Sequence, residues 1–311
     1  MAQNTVAAPA QTKPKKQKPS QFSGMSKALV RRETISAYLF LLPSLLFFVS
    51  FVVVPMFICV VYSFLEYDLG GVKGFAWLDN YIKLFQDPVF HRGFLNTVLI
   101  VVVAVPTVAA FSLWVSSAIY KMHPLPRSFF RCVFYLPVVT GSVAITVVWK
   151  WILHPYYGLL NQVAGTGTFD WLGNQHTAIW FIILILFTTS IGQPIVLYVA
   201  ALGNVDQSLV EAAQVDGATK LQVFWKIKWP QIMPTTLYVL VITTINSFQC
   251  FALIQLLTKG GPLNSTMTIM YQVYDTAYRL NDLGYANAIG VVLAIIIAIF
   301  SAVQFKLAKT E

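Results

Sequence analysis

The chain has 311 residues, 57% of them hydrophobic and only 11% charged, with a net charge of +9. An ordinary soluble domain carries roughly a quarter charged residues, so this composition argues against one and indicates a membrane protein. Cys59, Cys132 and Cys250 all fall within apolar runs, which points to neither a disulfide framework nor a zinc site.

Residues 1 to about 28 are rich in Ala, Gln, Lys, Pro and Ser, and residues 1–35 read as a disordered, basic cytoplasmic tail. The run KPKKQKP at 13–19 could attract nucleic acid. The simpler expectation is a tail that sets topology and touches anionic head groups, so membrane lipid is the expected partner and nucleic acid is not. Six apolar stretches follow, at approximately 36–64, 94–120, 129–152, 177–203, 235–257 and 286–308. Each is long enough to span, since about 20 helical residues cross a hydrocarbon core of roughly 30 Å. The first is too long, and follows too long a polar tail, to be a secretory signal. Residues 36–311 therefore read as one six-span transmembrane domain.

The first outer loop, 65–93, contains FAWLDNYIKLFQDPVF, whose aromatic residues suit the membrane interface. A second, 153–176, carries Trp171, His154 and His176; without carboxylate or cysteine partners these histidines read as polar surface. Pro43, Pro55, Pro106, Pro137 and Pro194 lie inside or near the ends of spans. Each removes a backbone donor and tends to kink its helix, which suits a moving transporter but is also common in membrane helices at large.

Fifteen Lys and Arg residues fall in the N-terminal tail and the segments that alternate with it, and five on the opposite side, with Lys150 near a span end. By the positive-inside rule both termini and the segment 204–234 are cytoplasmic, in a multi-pass protein of the cell membrane. The chain holds no G-x-x-x-x-G-K-[ST] phosphate loop, no H-E-x-x-H, and no serine–histidine or paired-carboxylate arrangement. No catalytic residue, metal site or bound cofactor is expected. Nearly all carboxylates lie outside the spans, which leaves a buried proton relay without support. If the protein pumps, its energy comes from elsewhere.

Between the fourth and fifth spans lies SLVEAAQVDGATKLQVFWKIKWPQIMP, residues 208–234. Ser208 and Glu211 have the S-x-x-E spacing of a capping box, and Thr219 and Gln222 repeat it as T-x-x-Q. Gly217 between them can take the left-handed conformation that ends a helix. The expectation is helix, turn, helix, with Pro230 and Pro234 stopping the pattern before the fifth span. Ala212 and Ala213 leave a flat surface, and Leu221, Phe224 and Trp225 share one face of the second helix. Such a hairpin either packs under its own bundle or offers a handle to another protein.

EAAQVDGATKLQVFWKIKWPQIMP closely resembles the EAA motif of binding-protein-dependent ABC importer permeases. Glu211, Ala212, Ala213, Asp216, Gly217, Ala218, Phe224, Ile227, Pro230 and Pro234 stand at matching places, and Trp229 departs from the usual leucine. LTKGGPLNSTMTIMYQVYDTAYRLNDLGYANAIG (257–290), WLDNYIKLFQDPVFHRGFLNT (77–97) and YLP (135–137) are similar to the sugar permeases of the maltose-type branch. Ala252 and Gln255 depart from that branch, which often has an acidic residue and a tyrosine after Phe251.

The resemblance implies an all-α integral membrane protein of the type I ABC importer permease fold in a prokaryotic plasma membrane, with a cytoplasmic coupling helix between spans 4 and 5. It implies a second homologous permease, two ATPase subunits that bind ATP and Mg, and an extracytoplasmic solute-binding protein. Glu211, Ala212, Ala213, Asp216, Gly217, Ala218 and Phe224 would couple to an ATPase, making this chain a non-catalytic subunit.

A neutral, hydroxyl-rich sugar needs amide and hydroxyl partners, and the spans offer Asn246, Ser247 and Gln249 in TTINSFQCFALIQLL together with Gln193 beside Pro194. These residues either line the pathway or hydrogen-bond between helices. The alternatives are a permease for another polar solute such as a glycerol phosphate, a secondary carrier, or a membrane-embedded enzyme. A secondary carrier would need a buried ionisable pair or an internal repeat, and an enzyme clustered catalytic groups; neither is visible.

Overall fold

The computed structural model describes residues 27–308, with side chains from Arg31 onward. Residues 1–26, most of the tail expected to be disordered, lie outside the described residues. Helix α1 (Lys27–Phe48) begins within the region read as tail, so residues 27–35 are helical instead. KALVRRE contains neither Gly nor Pro, and a helix already started in the span propagates back through good helix formers at little cost.

The chain divides into two compact units between Phe57 and Ile58. In the first, α1 runs into a π turn at Val49–Val53 and then into α2 (Val54–Tyr62). The amide of Val54 bonds the carbonyl of Val49, five residues back. Pro55 follows directly, and the widened turn relieves the clash its ring would make with a carbonyl four residues earlier. Every described side chain up to Phe57 is exposed or half-buried.

The second unit opens with a feature the all-α expectation lacks. Strands β1 (Leu65–Asp68) and β2 (Gly71–Phe75) form an antiparallel hairpin with a bulge at Glu66/Tyr67. Leu65 and Tyr67 before Gly70 and Gly71, and the β-branched Val72 and aromatic Phe75 after them, favour extended pairing, a local signal inside the first loop. Helices α3 (Asp79–Gln86), α4 (Pro88–Ile119), α5 (Pro124–Val139), α6 (Ser142–Ile152), α7 (Leu159–Ala164), α8 (Ala178–Ser190) and α9 (Gly192–Gly203) follow. The segment after α9 supplies α10 (Gln207–Val215), α11 (Lys220–Val223), a π turn at Phe224–Lys228 and α12 (Trp229–Phe248). The chain ends through α13 (Ala252–Leu257), α14 (Ile269–Tyr274), a π turn at Asp275–Arg279 and α15 (Leu283–Ala308).

Four helices are long and apolar enough to cross a membrane: 31–62, 88–119, 220–257 and 283–307. Two bent pairs, α5 with α6 and α8 with α9, turn through 97° and 43°, giving six crossings if each pair is one span. The expected third span, 129–152, is therefore not straight. Thr140 is extended, with ψ of 126°, and Gly141 has ψ of 145°, so the helix stops after Val139 and restarts in a new direction. Pro106, by contrast, sits inside an unbroken α4.

Helix α4 packs against α8, α9, α12 and α14. Its apolar face, with Ile100, Val101, Ala104, Val105 and Val108, is fully buried. Polar bridges fix the register. The hydroxyls of Ser112 and Ser116 donate to the carbonyls of Ile191 and Ile195 at 3.3 and 3.0 Å, and the amide of Ile269 donates to Thr97 Oγ1 at 3.1 Å. Where no water competes, such bonds satisfy buried groups that hydrocarbon cannot.

Candidate functional site

Helix α10 starts at Asp206, not at the Ser208–Glu211 box expected from spacing. The Asp206 carboxylate accepts from the Ser208 amide at 2.9 Å and from its hydroxyl at 2.7 Å. These bonds hold the Asp206 carboxyl below its ordinary range, the serine hydroxyl contributing most. Ser208 thus lies inside the first turn, its own amide capped by Asp206, and an aspartate at a helix N-terminus also meets the positive end of the dipole. Glu211 is left on the exposed surface.

The other end of α10 forms as the spacing predicts. Gly217 has a φ of +80°. The Gly217 amide donates to the Gln214 carbonyl at 3.1 Å and the Ala218 amide to the Ala213 carbonyl at 2.9 Å, the two bonds of a Schellman turn. Thr219 and Gln222 then make the expected reciprocal capping box. What differs is the far side of α11. Pro230 and Pro234 do not stop the helix, because the π turn at 224–228, where Trp229 bonds back to Phe224, admits Pro230 just as the earlier π turn admits Pro55. The segment from Lys220 to Phe248 is thus one stiff, continuous rod of roughly 40 Å at about 1.5 Å per residue.

One face of this segment is buried: Leu202, Val205, Val210, Val223 and Ile232 form a cluster against which Ala213 and Ala218 pack. The other is open. Val215 is 88% and Trp225 54% exposed, and Leu209 and Leu221 lie exposed beside them. Ala213, Asp216, Gly217 and Ala218 line one hollow of about 320 Å³ together with Lys226. Ala212 is exposed outside that hollow, and Phe224 is half-buried, so Leu221, Phe224 and Trp225 do not form one uniformly open face.

At the other end of the rod the fifth span breaks. Helix α12 ends at Phe248, residues 249–251 are irregular, and α13 resumes at Ala252. A cavity of about 330 Å³ opens at this break, lined by Asn246, Gln249 and Phe251 from the fifth span and by Thr140, Ser142 and Thr189 from the bends of the third and fourth. No charged side chain lines it. Asn246 and Gln249 are thus brought together. Ser247 is buried at 2% exposure, and Gln193 is exposed on α9; neither lines the cavity. Sequence reasoning missed Thr140, Ser142 and Thr189. The signal was present in T-G-S at 140–142, small polar residues around a glycine within an apolar run. From Phe251 an aromatic ladder continues to Tyr274 and Tyr278, with ring centres 5.0 and 5.2 Å apart.

The family described as binding-protein-dependent transport system inner membrane component matches residues 89–310. The chain is 34% identical over 289 residues to the probable ABC transporter permease protein YurN of Bacillus subtilis, covering 91% of this chain and 99% of that one. It is 30% identical to the multiple sugar-binding transport system permease protein MsmF of Streptococcus mutans, over 87% and 94% of the two chains. A chain in the crystal structure of a bacterial ABC transporter involved in the import of the acidic polysaccharide alginate shares its fold, with a TM-score of 0.79 at 22% identity over 91% of this chain and 98% of that one.

Proposed function

The chain belongs to the binding-protein-dependent transport system inner membrane components, and from that premise we propose that it imports a neutral sugar or oligosaccharide as one of two permeases in an ATP-driven complex. The observation that carries this reading is the rod from Lys220 to Phe248, which joins an exposed, capped handle at one end to an uncharged polar cavity at the other. Two ATPase subunits, holding ATP and Mg, close and push on the handle; Glu211, Ala212, Ala213, Asp216, Gly217, Ala218 and Phe224 form or support the docked surface. The rod transmits the push because a helix with its backbone bonds intact is stiff along its axis. An extracytoplasmic binding protein delivers the solute, and this chain carries no cofactor and performs no chemistry.

The neutral solute is favoured by the cavity lining. A glycerol phosphate, the solute named for a relative 27% identical, would call for a cation, and the lining offers amides, hydroxyls and the Phe251 ring. Asn246→Ala and Gln249→Ala are each expected to raise the KM for uptake about 3- to 10-fold, the loss of one hydrogen bond, with ATPase stimulation unchanged. Ser247→Ala, buried away from the cavity, should leave the KM alone. A KM that moves equally in all three variants would remove the cavity from the pathway.

The handle and both termini face the cytoplasm in this reading. In a background without Cys59, Cys132 and Cys250, a cysteine replacing Lys226 reacts only with reagents that enter the cell, and one replacing Lys73 reacts from outside. Labelling of position 226 by an impermeant reagent in intact cells would invert the topology and end the proposal.

The whole function is tested by reconstitution. Liposomes holding this subunit alone should accumulate no sugar, whereas those holding it with its partner permease, the ATPases and the binding protein should do so on ATP. Accumulation by the single subunit on an ion gradient would make it a secondary carrier.

A further inference from the structure

Among the described residues, the ion pair Lys73–Asp68 lies in the β hairpin, Lys83–Asp282 joins α3 to the turn before α15, and Arg279–Asp275 lies within the last π turn, all outside the handle. The handle side is built differently. The last turn of α4 and the handle enclose a crevice of about 280 Å³ whose polar lining is Ser117, Tyr120, Lys121, Gln214, Lys220 and Lys228. The lining contains no carboxylate, and none of the three lysines takes part in an ion pair among the described residues.

Cations converge on Tyr120 from several elements. Lys228 Nζ donates to the Tyr120 hydroxyl at 2.6 Å and lies 5.0 Å from its ring centre. Lys121 Nζ lies 5.8 Å from the same centre, and Arg127 donates to the Tyr120 carbonyl at 3.2 Å. Like charges gathered in a crevice repel one another, and an anion between them would turn that repulsion into attraction. Ammonium groups, a hydroxyl and a side-chain amide are also the donors that phosphate oxygens accept from.

We propose that this crevice binds the phosphate group of an anionic membrane lipid. Its position favours a lipid over a soluble anion. It opens where the apolar run of α4 ends, and Trp114, 69% exposed on the same helix two turns before Lys121, marks an interfacial level. Val223, Leu202 and Phe224 give the crevice an apolar floor against which the lipid's glycerol end can lie. Basic pockets between spans on the cytoplasmic side suit such head groups on general electrostatic grounds. A phosphate held jointly by Lys121 and by Lys220 and Lys228 clamps the end of the second span to the handle. Binding itself does not depend on what the handle docks with.

The test is native mass spectrometry of the full chain in detergent, titrated with phosphatidylglycerol, with phosphatidylcholine and, separately, with inorganic phosphate. One phosphatidylglycerol should be retained that phosphatidylcholine does not displace. Each lysine near the surface is worth a factor of about five, so Lys121→Gln with Lys220→Gln should weaken retention roughly 20-fold. Lys121→Arg with Lys220→Arg keeps the charge and should keep the lipid, and Lys150→Gln on α6, the same charge loss elsewhere, should change nothing. Equal retention by the glutamine double variant overturns the site. Displacement of the lipid by inorganic phosphate at matching concentration overturns the lipid assignment in favour of a soluble anion.

Discussion

A Gly217→Val chain is expected to reach the membrane intact, lose association with the ATPase and lose most transport. The cause is confined to the backbone. A Cβ at position 217 meets nothing within 4 Å, so there is room for a side chain, but the φ of +80° is one that β-branched residues avoid. Forcing it costs about 1–3 kcal/mol, and the chain escapes by giving up the Schellman turn. With the amide bonds of Gly217 and Ala218 released, α10 frays and the open residues Leu209 and Val215 lose their fixed relation to Trp225. Gly217→Asn provides the contrast, since asparagine tolerates the left-handed region and should retain most coupling. If valine and asparagine variants couple equally well, the turn is not what presents the handle. Copurification of the ATPase, read beside the membrane yield, separates a docking defect from a folding one.

Gly192→Ala is expected to destabilise the bundle itself. Here the conformation is ordinary and space is lacking. A Cβ would stand 2.5 Å from the Phe134 carbonyl oxygen and 2.8 Å from Val138 Cγ2, at the crossing of α9 over α5. Small residues let membrane helices approach this closely, and the obstacle is backbone, which cannot rotate away. Overpacking of this kind costs about 1–3 kcal/mol, a fall of roughly 2–10 °C in Tm for a chain of this size. Gly203, the last residue of the same helix, has open space around it, so Gly203→Ala should leave Tm unchanged or slightly raised. Matching Tm values for the two variants would mean that α5 and α9 do not meet at Gly192.

Both substitutions fall at glycines, yet they differ in legibility. Gly217 could be read from sequence because its role is local: two cap signals flank it, and a turn must lie between them. Gly192 stands beside Gln193 and Pro194 in an apolar run, and nothing within a few residues announces that the Phe134 backbone fills the place a Cβ would take. The same division separates the two helix starts in the handle. Thr219–Gln222 formed the box its spacing predicts, whereas Ser208–Glu211, with equal spacing, lost to Asp206, which sits two residues earlier and carries a full charge.

The cavity was half legible. Asn246 and Gln249 stood out as polar residues in an apolar run, but their separation from Ser247 depends on which way each side chain points once α12 has packed. Thr140, Ser142 and Thr189 reach the same space only because the third and fourth spans bend, by 97° and 43°.

By itself the sequence determined the membrane class, the six apolar stretches, the charge asymmetry between their ends and the chemistry of the handle. Hydrocarbon imposes its demand on each 20-residue window separately, and caps act over three or four residues, so both are written along the chain. Only the tertiary structure decided that the handle and the fifth span are one rod despite Pro230, that three spans meet at an uncharged cavity, and that lysines 100 residues apart share a crevice around Tyr120. A π turn, a bend and a close crossing are choices among conformations of similar local energy, and packing against the rest of the bundle selects between them.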